Sequence, residues 1–165
     1  MIAAALAGLL VACSPQAASD TRDPAAAAAT AAGDAVHPTS GLELIPVTVT
    51  TQSGAHEFVT EVAATPEEQA RGLMFRTQLG PDEAMIFPRE GADGGKVASF
   101  WMKNTPLPLD IIFIGPDRRI INIAAQTTPY SLDNVTAGGP TLAVLEIPGG
   151  RAAELGIAPG DRVEW

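Results

Sequence analysis

The sequence has few of the residues that enzymes use for nucleophilic or metal chemistry. It holds one cysteine, Cys13, and two histidines, His37 and His56, in 165 residues. A catalytic triad would depend on His56, since Cys13 and His37 lie outside the predicted globular domain. No His and Cys cluster has zinc-site spacing, no Asp-rich segment matches an EF-hand, and no glycine loop matches a phosphate-binding motif. We therefore expect no metal, no other cofactor and no nucleotide chemistry.

Basic residues are also scarce. Ten Lys and Arg face nineteen Asp and Glu, which gives a formal net charge of −9. Nucleic-acid binding needs a basic surface, and attraction to an anionic membrane needs a basic patch. We predict no nucleic-acid partner, and cationic or neutral partners suit the overall charge.

The N-terminal segment carries a specific local pattern. An apolar run from Ile2 to Val11 is too short to span a bilayer and has the length of a signal-peptide core. It ends in Leu-Val-Ala-Cys, which resembles the lipobox of bacterial lipoproteins. The resemblance implies that residues 1–12 are a signal peptide and that Cys13 carries the lipid. One departure is that no Lys or Arg precedes the run. The alternative is a buried N-terminal helix with an inert cysteine.

The lipobox interpretation predicts where the protein resides. The acylated Cys13 would anchor it in the cell envelope, facing the periplasm. Ser14 after the cysteine resembles the outer-membrane lipoproteins of enteric bacteria, which implies the outer membrane over the inner one. Residues 13–40 are rich in Ala, Thr, Pro, Asp and Gly and nearly free of large apolar residues. Such a segment buries too little apolar surface to offset the entropy of ordering. We predict a disordered tether there and a single globular domain over residues 41–165.

Within the domain, apolar alternation and turn residues predict many short strands. A hairpin is predicted over 44–51 and 56–63, followed by a helix that Thr65 caps and that runs to about Met74 or Phe75. Gly72 within that helix indicates a close contact or an early end. The region 90–96 is predicted to be an exposed mobile loop. Further strands are expected at 84–87, 97–102, 109–114, 120–124, 141–147 and 162–165, with a helical turn at 150–155. The pattern predicts an α+β fold with a small, mostly antiparallel barrel-like or rolled β-sheet and one or two short helices.

Several polar residues lie in apolar surroundings. Lys103 and Asn104 follow an aromatic strand, Asp110 opens an Ile-rich strand, and Glu146 interrupts another apolar strand. Because a buried charge needs a partner, Lys103–Asp110 or Arg71–Glu146 could form structural ion pairs. Alternatively, these groups provide the polar contacts of an apolar pocket. The predicted walls of that pocket are Phe75, Met85, Phe100, Trp101 and Met102.

Four blocks of sequence resemble a known family. RGLMFR at 71–76, EAMIF at 83–87, SFWMKNTPLPLDIIFI at 99–114 and VLEIPGGRAAELGIAPGDRV at 144–163 are similar to the domain of unknown function 192 family. These are small bacterial and archaeal proteins, often exported. Ala84 stands where the family commonly has Gly. The resemblance implies a compact α+β fold with a barrel-like sheet, and it supplies no reaction. The matching positions are Arg71, Gly72, Met74, Trp101, Met102, Lys103, Asn104, Thr105, Pro108, Leu109, Asp110, Glu146, Gly150 and Gly160.

These observations define the candidate site. Lys103, Asp110 and Glu146 are the candidates for acid–base catalysis, because carboxylates in apolar settings have perturbed proton affinities. A Cu(I) site at Met74, Met85 and Met102 is the less favoured interpretation, since such methionines usually fill cores. The predicted ligand-binding residues are Arg71, Met74, Trp101, Met102, Lys103, Asn104, Thr105, Asp110 and Glu146.

Three functions are compatible with this site. The first, which we favour, is a binding module for an envelope ligand (a glycan, a peptide or a peptidoglycan fragment) or for a protein partner. The second is a carboxylate- and lysine-dependent hydrolase of an envelope substrate. The third is a structural accessory subunit with no small-molecule site. Whether the protein is an enzyme stays open, and the residues favour a binding function over a catalytic one.

Overall fold

The computed structural model describes residue 1 and residues 35–89 and 94–165. Cys13, the predicted signal peptide after Met1, most of the tether and part of the predicted 90–96 loop lie outside these residues. The strands are β1 (Leu44–Thr51), β2 (Gly54–Val62), β3 (Glu83–Pro88), β4 (Val97–Phe100), β5 (Leu109–Ile114), β6 (Ile120–Ala124), β7 (Val135–Pro140), β8 (Ala143–Pro148) and β9 (Arg162–Glu164). The helices are α1 (Pro66–Arg71) and α2 (Arg151–Leu155).

Seven of these strands form one rolled sheet in the order β6-β5-β8-β3-β2-β1-β9. All neighbours are antiparallel except β2 and β3, which run parallel. An isolated bridge between Arg119 and Arg162 brings the two ends of the sheet together. The prediction of a mostly antiparallel, barrel-like α+β fold is confirmed.

Each side of the rolled sheet carries its own hydrophobic core, because side chains alternate along a strand. In β3, Ala84 and Ile86 belong to the core inside the roll, whereas Met85 and Phe87 belong to a second core on its outer face. A two-stranded sheet of β4 and β7 covers this outer face. Phe100 of β4 packs edge-on against Phe87, with ring centroids 5.1 Å apart. The outer core positions the candidate site.

Helix α1 begins as predicted and ends earlier. Thr65 and Glu68 form a reciprocal capping box, and Pro66 occupies the first turn. The helix ends at Arg71 because Gly72 has a φ of +46°, and a Cβ there would lie 3.3 Å from the Phe87 ring. The predicted extension to Met74 or Phe75 is therefore wrong, and the early end at Gly72 is confirmed.

Other differences concern strand β7 and the start of the domain. The segment VTAGGP of β7 has no alternation of large apolar residues, so no strand was predicted there. Residues 35–40 fall in the predicted tether, yet Val36 bridges to Glu43 and Ser40 contacts Glu61. Among the described residues, no helix is long and apolar enough to cross a membrane.

Candidate functional site

A cavity of about 280 Å³ lies on the outer face of the rolled sheet. Helix α1 and the turn after it form one wall, β4 and its continuation form the other, and the end of β3 and Glu146 of β8 complete the cavity. Its lining residues are Gln69, Ala70, Arg71, Gly72, Leu73, Met74, Phe87, Arg89, Ser99, Phe100, Trp101, Lys103, Thr105 and Glu146.

Glu146 is the acidic group in this lining. Its strand places it between Met85 and Ile111 in the register of the sheet, so its side chain emerges into the apolar outer core. Only 5% of the residue is exposed, and no salt bridge to it is found among the described residues. Burial without a partner raises the pKa of Glu146 to about 8. At neutral pH the group is therefore an uncharged carboxylic acid, able to donate a hydrogen bond.

Three basic residues line the same cavity. Arg89 follows β3, and its backbone N–H donates to the Leu142 carbonyl at 2.9 Å. The Nε of Arg89 is buried and has no hydrogen-bond partner among the described residues. Arg71 lies exposed at the end of α1, and Nζ of Lys103 lies 5.1 Å from the centroid of the Trp101 ring. The cavity is therefore basic although the chain as a whole is acidic.

The two walls of the cavity are joined by their turns. The backbone N–H of Phe75 donates to the carbonyl of Asn104 at 2.8 Å, and Asn104 Nδ2 approaches Met74 Sδ at 3.8 Å. Both Phe75 and Asn104 have a positive φ, of 64° and 55°. Asparagine tolerates this conformation better than most residues, whereas a bulky phenylalanine adopts it at an energetic cost. The asparagine after Lys103 thus supports the turn that holds β4 against the α1 side.

Asp110 occupies a different environment. It is fully buried, and its carboxylate accepts hydrogen bonds from the backbone N–H groups of Gln126, Gly150 and Ala152 at 2.7, 2.9 and 2.8 Å. Asp110 therefore holds the N-terminus of α2. It alternates with Ile111, which belongs to the outer core, so Asp110 and Glu146 lie on opposite faces of the sheet. The two carboxylates cannot act together on one substrate.

The structure brings together six of the nine predicted ligand-binding residues. Met102, Asn104 and Asp110 do not line the cavity. Met102 is buried and its Sδ accepts a hydrogen bond from Thr127 Oγ1 at 3.1 Å. Neither of the considered ion pairs, Lys103–Asp110 and Arg71–Glu146, is found among the described residues. The predicted residues that do line the cavity are Arg71, Met74, Trp101, Lys103, Thr105 and Glu146.

Comparison with known proteins identifies the family. Residues 47–165 match the model of domain of unknown function 192 (DUF192), described as "Uncharacterized ACR". The chain belongs to the DUF192 family. The match contains every residue of the cavity lining. A search of curated proteins gave no match.

Two solved structures resemble this DUF192 protein. A protein of unknown function from Novosphingobium aromaticivorans DSM 12444 is 61% identical, with a TM-score of 0.78 over 84% of this chain and 96% of that one. A protein described as a candidate transcription regulator from Sinorhizobium meliloti 1021 is 36% identical, with a TM-score of 0.70 over 74% of this chain and 94% of that one. Their descriptions contain no ligand and no reaction.

Sequence reasoning missed several residues of the DUF192 cavity. Arg89, Gln69 and Ser99 were not singled out. Arg89 had one available signal, since it directly follows the apolar strand EAMIFP and precedes a polar, glycine-rich stretch. Gln69 could not be recognised from its position in α1, where its Nε2 donates to the carbonyls of Ala63 and Pro88. Predicted wall residues Phe75 and Met85 lie elsewhere, Phe75 exposed and Met85 in the outer core.

The methionines of the DUF192 domain are distributed among different surroundings. Met85 is buried in the outer core, Met102 contacts Thr127, and Met74 approaches Asn104. Within residues 35–89 and 94–165, no three His, Cys, Asp or Glu side chains are grouped as metal ligands would be. These surroundings favour a packing role for the three methionines.

Proposed function

We propose that this DUF192 domain is the binding module of a cell-envelope lipoprotein and that its cavity holds the carboxylate of a small ligand. The observation that carries the proposal is the buried Nε of Arg89, which has no hydrogen-bond partner among the described residues of the cavity. A buried donor without a partner is costly, and a bound carboxylate would satisfy it. Among envelope ligands, a peptide, an acidic glycan or a peptidoglycan fragment carries such a group.

The other cavity residues support an anionic ligand with an apolar part. Arg71 and Lys103 add positive charge at the opening, and uncharged Glu146 adds a donor without repelling an anion. Phe100 and the half-exposed Trp101 provide flat apolar surface for the rest of the ligand. Because the surrounding protein carries a net charge of −9, the local basic character of the cavity would select where an anion binds.

The anchor is part of the same proposal. Acylated Cys13 would hold the domain at the periplasmic side of a membrane through the segment that precedes residue 35. The outer membrane is favoured over the inner one. This part rests on the Leu-Val-Ala-Cys pattern. Expression in a bacterium with palmitate labelling, with Cys13→Ala as the control, tests it. Label that persists in the variant would contradict the assignment.

A hydrolase is the second candidate, and Glu146 is the observation in its favour. Its raised pKa keeps it protonated at neutral pH, which is the form that a general acid needs. Of the other two predicted catalytic residues, Lys103 lines the same cavity and Asp110 does not. The predicted residues therefore provide one carboxyl group in the cavity and no second one. Turnover of a bound ligand, lost in Glu146→Gln while binding persists, would favour this candidate.

Calorimetric titration of the full chain tests the binding proposal. The panel would contain muropeptides, acetylated peptides with free carboxylates, acidic glycans and neutral oligosaccharides. We expect an anionic ligand to bind and Arg89→Gln to weaken it about 10- to 100-fold, as loss of a charge-assisted hydrogen bond predicts. The control is Arg162→Gln, since Arg162 is exposed and forms a surface pair with Glu164. Equal affinities for wild type and Arg89→Gln would contradict the proposal, and binding of none of the panel would favour the structural-subunit interpretation.

A further inference from the structure

Strand β4 pairs with β7 along one edge, and no described residue pairs with its other edge. Its register with β7 pairs Ser99 with Thr136 and Phe100 with Val135. Even-numbered positions face the β7 side along this segment: the Lys96 carbonyl accepts from the Thr141 N–H, the Ala98 N–H donates to the Thr141 side chain, and the Met102 N–H donates to the Ser131 carbonyl. Because backbone groups alternate between the two edges of a strand, the N–H and C=O groups of the odd positions point away from β7. Among the described residues, no hydrogen bond is found to the backbone of Ser99 or Trp101 outside the strand pairing.

This free edge borders the basic cavity. Ser99 and Trp101 both line the cavity, and Arg89 and Lys103 are further members of the lining. The cavity volume of about 280 Å³ lies just below the range of small-molecule sites, which is roughly 300–1,000 Å³. It therefore fits the end of a chain better than a whole ligand. The remainder of such a chain would lie along β4.

We propose that the ligand is an extended peptide that adds as a strand to the free edge of β4 and places its terminal carboxylate against Arg89. The inference rests on the proposed function and names the ligand class. Main-chain hydrogen bonds to an exposed strand edge are a common way of binding peptides, and alternate side chains then enter pockets. The backbone groups of Ser99 and Trp101 offer the hydrogen bonds, and the half-exposed Trp101 ring offers a surface for one peptide side chain.

The charges around the edge favour a carboxylate terminus over an amine terminus. Arg71, Arg89 and Lys103 line the cavity, whereas its acidic member, Glu146, is uncharged at neutral pH. A protonated amine would meet like charges there, and a terminal carboxylate would meet opposite ones. A C-terminal amide is uncharged and loses the attraction to these basic groups. Amidation of the C-terminus therefore tests directly whether the carboxylate is recognised.

The test uses three matched libraries of N-acetylated tetrapeptides with the full chain. The first has free C-termini, the second has C-terminal amides, and the third has free C-termini and N-methyl groups on alternate backbone nitrogens. Bound peptides are identified by mass spectrometry, and the affinities of the best binders are measured by calorimetry. We expect the free acids to bind at least about tenfold more tightly than the amides and than the N-methylated peptides, in line with the loss of one or two hydrogen bonds.

A pair of variants tests the same edge from the protein side. Ser99→Pro removes an outward-facing N–H without removing a bond to β7, since proline is tolerated at such edge positions. Ser99→Ala keeps the N–H and is the matched control. We expect Ser99→Pro to bind the best free-acid peptide about five- to tenfold more weakly than Ser99→Ala does, so that any contribution of the serine side chain is subtracted.

The outcomes separate the inference from the proposed function. Free acids that bind equally well with and without N-methyl groups would overturn strand addition while the carboxylate site stands. Free acids that bind no better than amides would overturn both. If Ser99→Pro does not fold, the N-methylated library still decides the role of the edge.

Discussion

Glu61 and Glu146 lie in one row across the outer face of the sheet, separated by Met85. Glu61 is in register with Met85 on β3, and Met85 is in register with Glu146 on β8. With strands about 4.8 Å apart, the two acidic residues are roughly 10 Å from each other. Both are nearly inaccessible, at 3% and 5% exposure.

Their partners distinguish these two buried acids. Glu61 contacts Arg76 and Ser40 through its two carboxylate oxygens, and His37 Nδ1 lies 3.7 Å away. No such partner is found for Glu146 among the described residues, and the pKa of Glu146 rises to about 8. One position of the row is thus a satisfied structural contact, whereas the other keeps unused hydrogen-bonding capacity inside a cavity. Glu146, and not Glu61, can therefore offer a hydrogen bond to a ligand in the cavity that Arg89 lines.

The first prediction concerns the pH dependence of stability. The folded state holds a proton on Glu146 up to a pKa of about 8, whereas the unfolded chain releases it near the ordinary value of 4.5. The stabilising effect of this protonation is complete below pH 4.5 and is lost as the pH rises through 8. The slope from this group approaches about 1.4 kcal/mol per pH unit between the two values. We expect Glu146→Gln to remove that slope in urea titrations from pH 5 to 9.

The control for this pH series is Glu57→Gln. Glu57 is exposed on β2, so its substitution should leave the wild-type profile in place. A Glu146→Gln profile parallel to that of the wild type would contradict the proton on Glu146. Anionic-ligand affinity should also fall above pH 8 in the wild type, because ionised Glu146 would repel the ligand, and Glu146→Gln should not show this loss.

The second prediction concerns Arg76. Arg76→Ala leaves the carboxylate of Glu61 buried without its cationic partner, and such losses cost about 3–5 kcal/mol. The free energy of unfolding from urea denaturation measures the cost. Arg162→Ala removes an exposed pair with Glu164 and should cost less than about 1 kcal/mol. Similar costs for the two variants would show that the Glu61 contact is not a stabilising one.

The third prediction concerns Asp110. Asp110→Ala removes the acceptor of three backbone N–H groups, including that of Ala152 at the start of α2. The Ala152 bond is buried and the other two are partly buried, so only the Ala152 N–H carries the full cost of about 1–3 kcal/mol for an unsatisfied buried donor. We expect a loss of at least about 2 kcal/mol in the free energy of unfolding. Asp133→Ala, at an exposed position, should be nearly neutral. A stable Asp110→Ala variant with lost ligand binding would instead return Asp110 to the functional site.

The fourth prediction concerns Gly149, where the chain passes close to Pro108. A Cβ at Gly149 would lie 2.9 Å from backbone and side-chain atoms of Pro108, and the Gly149 N–H donates to the Pro108 carbonyl. Gly149→Ala should therefore cost about 1–3 kcal/mol, as measured by thermal or urea unfolding. Gly139→Ala is the matched control, because a Cβ there meets nothing within 4 Å. Equal stability of the two variants would contradict this close packing.

Local signals decided which parts of the fold could be predicted. The capping box of Thr65 and Glu68 lies within four consecutive residues, so the start of α1 could be predicted from the sequence. Strands with strong alternation, such as β1, were likewise found. The strand β7 was missed because its sequence, with two glycines, has no alternating pattern, and its pairing with β4 depends on residues far along the chain.

The candidate site was predicted only in part for the same reason. Trp101, Lys103 and Glu146 were identified as polar or aromatic residues in unusual surroundings, and all three line the cavity. Asp110 gave the same signal but lies on the other face of the sheet, where it caps α2. A polar residue in an apolar strand therefore indicates a buried contact without indicating which one.

The sequence by itself determined the elements that have strong caps or clear alternation, the acidic character of the chain and the family resemblance. Helix caps, turns and strand alternation depend on residues that are close together in the sequence, so they can be predicted without the fold. Tertiary structure alone decided which charges share a cavity, since Arg89 and Lys103 meet there only through folding. It also decided that Glu61 has partners and that Glu146 remains protonated, because desolvation and pairing depend on what lies across the sheet.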